Sequence, residues 1–173
     1  MGIIKHHLRS KNIPNYRILY FQIMKIRKVN LTDKDEWARM RNTLWPSSIK
    51  EHLEDIEKYF SNFEINIVEG FVLTRSGGKL CGFIELNVRN YAEGSSSTKV
   101  PYVEGGYIDP EPSGQGHGKQ SMNAAESWAM ENGFHELASD AEIENSGSIA
   151  AHKALGFKEV GKSVCFIKAL KQS

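Results

Sequence analysis

Apolar residues alternate with polar ones in some short runs of this chain and recur every three or four residues in others, which predicts both strands and helices. The first alternating run, 25–29, predicts a strand that opens just after Met24. Two runs with helical spacing follow, one from Thr32 to about Trp45 and one from Ser48 to about Phe60. Pro46 separates them, because a proline disfavours helical backbone in the residue before it.

Extended segments dominate the middle of the chain. Residues 64–74 and 80–88 predict two strands, and Ser76-Gly77-Gly78 between them predicts a hairpin turn. Residues 91–99 are polar and rich in serine, which is typical of a loop. A third strand is expected over 100–108.

Helices and short strands alternate in the last third. The pattern predicts a helix over 119–132, a short strand over 136–140, a helix over 145–155 and one or two final strands within 160–170. The full order is β-α-α-β-β-β-α-β-α-β-β. This order indicates an α/β fold in which a mixed sheet is covered by helices.

Composition indicates one soluble globular domain, with 173 residues of which 40% are hydrophobic and 25% charged. Residues 1–23 lack clear periodicity and hold four basic residues and no acid, so we interpret them as an N-terminal extension outside a domain that spans 24–173. The net charge of the chain is +1 and that of the extension is +4, so residues 24–173 carry a net charge of −3. This balance argues against a nucleic-acid partner. It suits a cationic small molecule, or simply solubility.

Cysteine usage and hydropathy indicate a cytoplasmic protein. Cys81 and Cys165 both lie in apolar runs that resemble strands, which predicts two free thiols in the core rather than a disulfide. No apolar run approaches the ~20 residues of a membrane span, so no membrane partner is expected. His6 and His7 have no further ligands at useful spacing, and no metal site is predicted.

A glycine-rich loop connects the strand at 100–108 to the helix that follows it. Gly114, Gly116 and Gly118 occupy alternate positions in this loop. Glycines and a helix N-terminus together present backbone N–H groups that bind phosphates. A tight turn without a ligand fits the glycines equally well, and the spacing matches neither the Walker loop nor the dinucleotide fingerprint.

Residues 113–118 resemble the Arg/Gln-x-x-Gly-x-Gly/Ala pyrophosphate loop of the GNAT superfamily of acetyl-CoA-dependent N-acetyltransferases. Ser113 stands where that superfamily usually has Arg or Gln. Residues 145–157 are similar to its Asn-x-x-Ser-x-x-x-Tyr-x-x-x-Gly-Phe region, with His152 in place of the tyrosine. The element order also matches, so the resemblance covers 24–171 and implies a mostly antiparallel GNAT sheet.

Four short fragments resemble the aminoglycoside 6'-N-acetyltransferases, a group that confers antibiotic resistance. The fragments are Leu44-Trp45-Pro46, Glu104-Gly105, Ala138-Ser139-Asp140 and the run from His152 to Phe157. The resemblance implies direct transfer of an acetyl group from acetyl-CoA, a co-substrate, to an amine in a ternary complex. It implies no metal.

The resemblance also implies the site residues. Asp140 and Glu104 are the expected catalytic acids, and His152 is the expected proton donor to the departing CoA thiolate. Local rules allow a helix-capping Asp, an edge-strand Glu and a core histidine at the same positions. Trp45 and Tyr91 join Glu104 and Asp140 as expected contacts of the acceptor, although a tryptophan at a helix end is commonly a core residue.

The expected acetyl-CoA contacts are backbone groups of the strand and the loop, together with one side chain after them. They are Tyr107, Ile108, Gly114, Gln115, Gly116, His117, Gly118, Lys119 and Asn145. A backbone N–H near Tyr107 or Ile108 is expected to stabilise the thioester oxygen. Asn145 fits an ordinary helix N-cap as well as a contact with pantetheine.

Three functions follow from these features. The first is acetylation of the 6'-amine of an aminoglycoside. The second is a GNAT acetyltransferase that acts on a polyamine or a protein N-terminus, since a slightly acidic body suits any cationic amine. The third is a non-catalytic acyl-CoA sensor. The sequence leaves a homodimer open.

Overall fold

The structure, a computed structural model, describes residues 24–63, 66–110 and 116–170. Its strands are β1 (Lys25–Lys28), β2 (Glu69–Thr74), β3 (Leu80–Arg89), β4 (Val100–Ile108) and β5 (Ala138–Ser139). Its helices are α1 (Lys34–Leu44), α2 (Ile49–Phe60), α3 (His117–Glu131) and α4 (Ser146–Ala154). None of the helices in these ranges is long and apolar enough to cross a membrane.

The five strands form one sheet in the order β1-β2-β3-β4-β5. The first four pair antiparallel, and β5 pairs parallel to β4. Glu104 lies at a bulge, because Gly105 pairs with Glu85 while Val103 already pairs with Leu86. The mixed, mostly antiparallel sheet flanked by helices confirms the predicted fold class.

Two apolar clusters cover the two faces of the sheet. Successive side chains of a strand point to opposite faces, so Phe83 and Ile84 of β3 belong to different clusters. The Phe83 cluster contains Trp37 of α1 and Ile56 of α2. The Ile84 cluster contains Met122 and other residues of α3. The sheet therefore holds α1 and α2 on one face and α3 on the other.

The helix starts differ from the predicted ones at two points. Asn30 accepts a hydrogen bond from the backbone N–H of Thr32, and Asp33 accepts one from that of Asn30, so the capping interaction lies two residues before the expected Thr32–Asp35 pair. Ser48 caps α2 through Glu51 N–H, as predicted. Helix α3 begins at His117, which places Gly118 inside the helix.

The one or two final strands expected within 160–170 are wrong. No strand forms among the described residues after α4. Their apolar side chains are exposed, including Val164 at 76%, Phe166 at 92% and Ile167 at 101%. An alternating pattern makes a strand only when a sheet edge is available to pair with it, and β5 offers a ladder of two residues. Cys165 lies in this segment and is exposed, so only Cys81 is a core thiol.

Some predictions fall on residues that the structure does not describe. They are the extension 1–23, the first two residues of the strand predicted over 64–74, and Ser113, Gly114 and Gln115 of the loop.

Candidate active site

Strands β4 and β5 separate after two residue pairs. Tyr102 pairs with Ala138 and Val103 pairs with Ser139, while β4 continues to Ile108 beside β3 alone. The N–H of Asp109 donates to Cys81 O at 2.8 Å. Antiparallel alternation then turns the N–H of Tyr107 toward β3 and the N–H groups of Gly106 and Ile108 toward the open edge. Of the two predicted donors to the thioester oxygen, the geometry favours Ile108.

The N-terminus of α3 follows this open edge along the chain. Gly116 is its N-cap residue, with φ of +80° and nothing within 4 Å of the position a Cβ would occupy. The first N–H groups of a helix have no partner within it, so those of His117, Gly118 and Lys119 are suited to an anion. The His117 side chain is buried and 5% exposed, so this residue offers its backbone rather than its ring.

Glu104 is held by three hydrogen bonds from β3. Arg89 donates from Nε at 2.8 Å and from Nη2 at 2.5 Å, and Asn87 donates from Nδ2 at 2.9 Å. The carboxylate is thus paired with a cation and an amide on the neighbouring strand. This pairing suits a residue that binds and orients an acceptor better than one that removes its proton.

Asp140 belongs to the same cluster through Tyr102. Burial raises the pKa of Tyr102 to about 12, the Asp140 carboxylate near its phenol adds to the rise, and Arg89 opposes it. The Arg89 guanidinium lies over the Tyr102 ring, 3.4 Å from its centre. Asp140 itself is exposed at the end of β5. The structure therefore brings the two predicted acids together around Arg89 and Tyr102.

His152 faces β5 from α4. Its Nε2 lies 2.9 Å from Ser139 Oγ and its Nδ1 lies 2.7 Å from the carbonyl oxygen of Ser148. Asn145 accepts a hydrogen bond from Ser148 N–H at 2.9 Å, which is the N-cap role allowed by local rules. Its contact with pantetheine stays a prediction.

A cavity of about 570 Å³ lies between the sheet and helices α1 and α2. It is lined by Arg41, Trp45, Asp55, Lys58, Phe63, Asn66, Ile67, Glu85 and Glu104. Trp45 is one of these lining residues, and its contact with the acceptor stays a prediction. Its ring packs on Gly105, where an added Cβ would meet it at 2.2 Å. Tyr91 is 66% exposed and is not among the lining residues, so the cavity does not support its predicted contact.

Glu85 and Arg41 are cavity residues that the sequence reasoning missed. Glu85 is 1% exposed, accepts a hydrogen bond from Trp37 Nε1 at 2.8 Å and lies 3.5 Å from Arg41 Nε. Burial raises the pKa of Glu85 to about 7, although Arg41 and Trp37 oppose the rise. An acid within the apolar run 80–88 was the available signal.

Family comparison agrees with this geometry. The sequence model of the Acetyltransferase (GNAT) family matches residues 37–157, which include most of α1, the strands after β1, and helices α2, α3 and α4. The chain belongs to the GNAT family of acetyltransferases. Acetyl-CoA is therefore the expected co-substrate, and its contacts with the open edge of β4 and the start of α3 stay predictions.

Similar GNAT proteins carry more specific names. An aminoglycoside N(6')-acetyltransferase type 1 of Klebsiella aerogenes is 38% identical over 146 residues, which cover 84% of this chain and 96% of that protein. A protein of the same name from Stenotrophomonas maltophilia is 33% identical over 149 residues, covering 86% and 95%.

Solved structures show the same likeness. The structure of AAC(6')-Iy in complex with the bisubstrate analog CoA-S-monomethyl-acetylneamine matches with a TM-score of 0.78 at 31% identity, covering 86% of this chain and 99% of that one. AAC(6')-Ih from Acinetobacter baumannii matches with a TM-score of 0.78 at 26% identity, covering 86% and 99%. This likeness over nearly the whole of each neighbour confirms the GNAT fold.

Proposed function

We propose that this protein transfers the acetyl group of acetyl-CoA to the 6'-amine of an aminoglycoside. The observation that carries the proposal is the position of Glu104. Glu104 lines the cavity together with Trp45, and its carboxylate is joined through Arg89 to Tyr102 and Asp140 near the open edge of β4. The acceptor cavity and the place where β4 and β5 separate therefore meet at one acidic cluster. The names and the bound analog of its relatives agree with this acceptor.

The chain's own groups divide the work of the reaction. The N–H groups of Gly116 to Lys119 hold the pyrophosphate of acetyl-CoA, and Ile108 N–H donates to the thioester oxygen as it gains charge. The amine nitrogen bonds to the carbonyl carbon, the carbon–sulfur bond breaks, and the amine proton passes to a base. Asp140 is the proposed base, because Glu104 is already bound by Arg89 and Asn87.

Asp140→Asn tests this assignment, since the change keeps the shape and removes the negative charge. We expect kcat/KM for kanamycin to fall by about 10²–10⁴, with an unchanged Kd for acetyl-CoA. Glu142→Gln is the matched control, because Glu142 is an exposed acid two residues away and its loss should leave both values alone. Near-normal turnover in Asp140→Asn would assign the base elsewhere.

Spermidine and an N-terminal peptide serve as competing acceptors in the same assay, with CoA release as the readout. A higher kcat/KM for either than for kanamycin would replace the aminoglycoside by another amine. Acetyl-CoA binding without CoA release for all three acceptors would favour a sensor. We propose a cytoplasmic location, because the reaction needs acetyl-CoA as co-substrate. None of the proposed steps uses a metal.

We also propose that two copies of the chain associate through residues 158–170. This segment exposes Val164, Phe166, Ile167 and Leu170, each by 76% or more, and it follows α4 without pairing to a strand. A second copy would cover this apolar stretch and offer it a strand partner. Four large apolar side chains so exposed on one short segment are unusual for a monomer.

Sedimentation of the wild-type chain and of the double variant Phe166→Asp, Ile167→Asp tests the dimer. We expect twice the mass of one chain for the wild type and the mass of one chain for the variant, since buried charges oppose an apolar interface. Lys50→Asp is the control for the added charge, because Lys50 is exposed and lies outside the segment, and this variant should remain dimeric. A monomeric wild type would refute the proposal.

A further inference from the structure

Both nitrogens of the His152 ring are engaged, and the partners decide where its protons lie. Nδ1 lies 2.7 Å from the carbonyl oxygen of Ser148 and 3.3 Å from the hydroxyl of the same residue. The carbonyl oxygen is the nearer partner and only accepts hydrogen bonds, so Nδ1 carries a proton. In the neutral ring Nε2 is then an acceptor, and the hydroxyl of Ser139 donates to it across 2.9 Å. His152 therefore has no free nitrogen to offer a substrate directly.

Ser139 has a second acceptor within reach. Its Oγ lies 3.4 Å from the carbonyl oxygen of Val103, and a hydroxyl has one proton to donate. When His152 is neutral, that proton lies toward Nε2. When His152 is a cation, Nε2–H donates to Ser139 Oγ instead, and the hydroxyl proton is released to another acceptor. Ser139 can therefore hydrogen-bond to Nε2 of His152 in either state, as the donor to the neutral ring and as the acceptor from the cation.

The position of Ser139 gives this hydrogen bond a use. Val103 and Ser139 are the last pair joined before β4 and β5 separate, so the hydroxyl lies where the open edge of β4 begins. Asp140 is the next residue. A proton that leaves Nε2 of His152 must pass first to Ser139 Oγ, because this oxygen occupies the hydrogen-bonding position of that nitrogen.

We propose that Ser139 relays a proton from His152 to the departing CoA thiolate. The hydroxyl proton of Ser139 forms the S–H bond, and Ser139 Oγ takes the Nε2 proton of the His152 cation in the same step. His152 is left neutral with its proton on Nδ1, which Ser148 O still accepts. This inference rests on the proposed acetyl transfer, since it needs a thiolate leaving group, but its acceptor can be any amine.

The first test reads the ring itself in the free, full-length protein. Nitrogen-15 NMR of the histidine side chains at a pH where His152 is neutral is expected to show the proton on Nδ1 and a hydrogen-bonded Nε2. Ser139→Ala should move the Nε2 resonance, and Ser139→Thr, which keeps the hydroxyl, should restore it. A neutral wild-type ring with its proton on Nε2 would overturn the proposal.

The second test is a double-mutant cycle on acetyl transfer with Ser139→Ala and His152→Gln. We expect each to lower kcat/KM by about 10²-fold and the double variant to be no slower than the slower single, because the two residues serve one proton transfer. Ser139→Thr should retain a rate near that of the wild type. Ser146→Ala is the control, because Ser146 is an exposed serine of the same helix, α4.

Multiplying effects in the double variant, or wild-type turnover in Ser139→Ala, would refute the relay. Circular dichroism and the Kd for acetyl-CoA identify variants that lose the fold instead. The assay uses whichever of kanamycin, spermidine or the peptide the wild type acetylates fastest, so a wrong aminoglycoside assignment does not affect the result. A wild type that releases no CoA with any of them refutes both the proposed acetyl transfer and the relay. The NMR experiment needs no turnover, so it tests the hydrogen bond between His152 and Ser139 independently of either.

Discussion

At the scale of single residues, two facing positions on neighbouring strands set the shape and charge of the cavity. Gly105 and Glu85 pair directly across β4 and β3. The first has no side chain, which lets the Trp45 ring lie against the strand. The second places a carboxyl group among apolar neighbours beside Arg41. Each position leads to a measurable consequence.

Gly105→Ala is expected to destabilise the protein by about 1–3 kcal/mol, as overpacking does in other cores. The added Cβ would lie 2.2 and 2.3 Å from two atoms of the Trp45 ring, so the ring must move. Gly106→Ala is the matched control, because its nearest atoms are at 3.8 Å. Urea denaturation measures both, and equal losses for the two variants would contradict the packing argument.

Glu85 predicts a pH dependence of stability. Its pKa is raised from 4.5 to about 7, so the unfolded chain releases this proton before the folded chain does. The contribution of Glu85 to the free energy of unfolding is therefore complete below pH 4.5. It falls by roughly 3 kcal/mol as the pH rises to about 7. Glu85→Gln cannot ionise and should lack this loss, whereas Glu54→Gln, an exposed control, should keep it. Parallel curves of unfolding free energy for wild type and Glu85→Gln would refute the shift.

At the scale of elements, α3 has a left-handed glycine at each end. Gly116 and Gly133 both have φ of +80°, and neither has an atom within 4 Å of an added Cβ. A residue with a Cβ would be strained at either position, but only Gly116 lies at the proposed pyrophosphate site. They therefore form a matched pair for separating stability from binding.

Gly116→Ala and Gly133→Ala are each expected to cost about 1–2 kcal/mol of stability, because a Cβ disfavours left-handed backbone. Only Gly116→Ala should weaken acetyl-CoA binding, by about tenfold, since it disturbs the N–H groups at the helix start. Calorimetric titration of acetyl-CoA measures the difference. Equal affinities in the two variants would remove the start of α3 from the cofactor site.

Sequence patterns predicted those elements that bury a face along their own length. Helices α1 and α2 and strands β3 and β4 agree with their predicted spans to within a few residues. Sequence patterns could not predict contacts between residues distant in the chain. Glu85 lies in β3, for example, and its two partners, Trp37 and Arg41, lie in α1. The alternation within 160–170 predicted strands, but it carries no information on whether a sheet edge is free to pair. Asp140 and Glu104 were predicted to share one site from the family resemblance and not from their spacing in the sequence.

At the scale of the whole molecule, Met24 is part of the core, since it is 7% exposed and packs with Leu73 and Cys81. We propose that residues 24–173 belong to the acetyltransferase domain and that 1–23 are an extension outside it. Deletion of 1–23 is therefore expected to leave the melting temperature and the Kd for acetyl-CoA unchanged. Differential scanning calorimetry and calorimetric titration check this, and a well-folded truncation that fails to bind would give the extension a role.

The edge of β4 that β5 leaves uncovered also determines how fast its amides exchange with heavy water. Tyr107 N–H, turned into the sheet, should exchange slowly in the free protein, while its neighbours Gly106 and Ile108 exchange quickly. Residues adjacent in the chain would then differ sharply in protection. Saturation with acetyl-CoA should slow Ile108 and leave Tyr107 as it was, so deuterium uptake would report occupancy of the site one amide at a time.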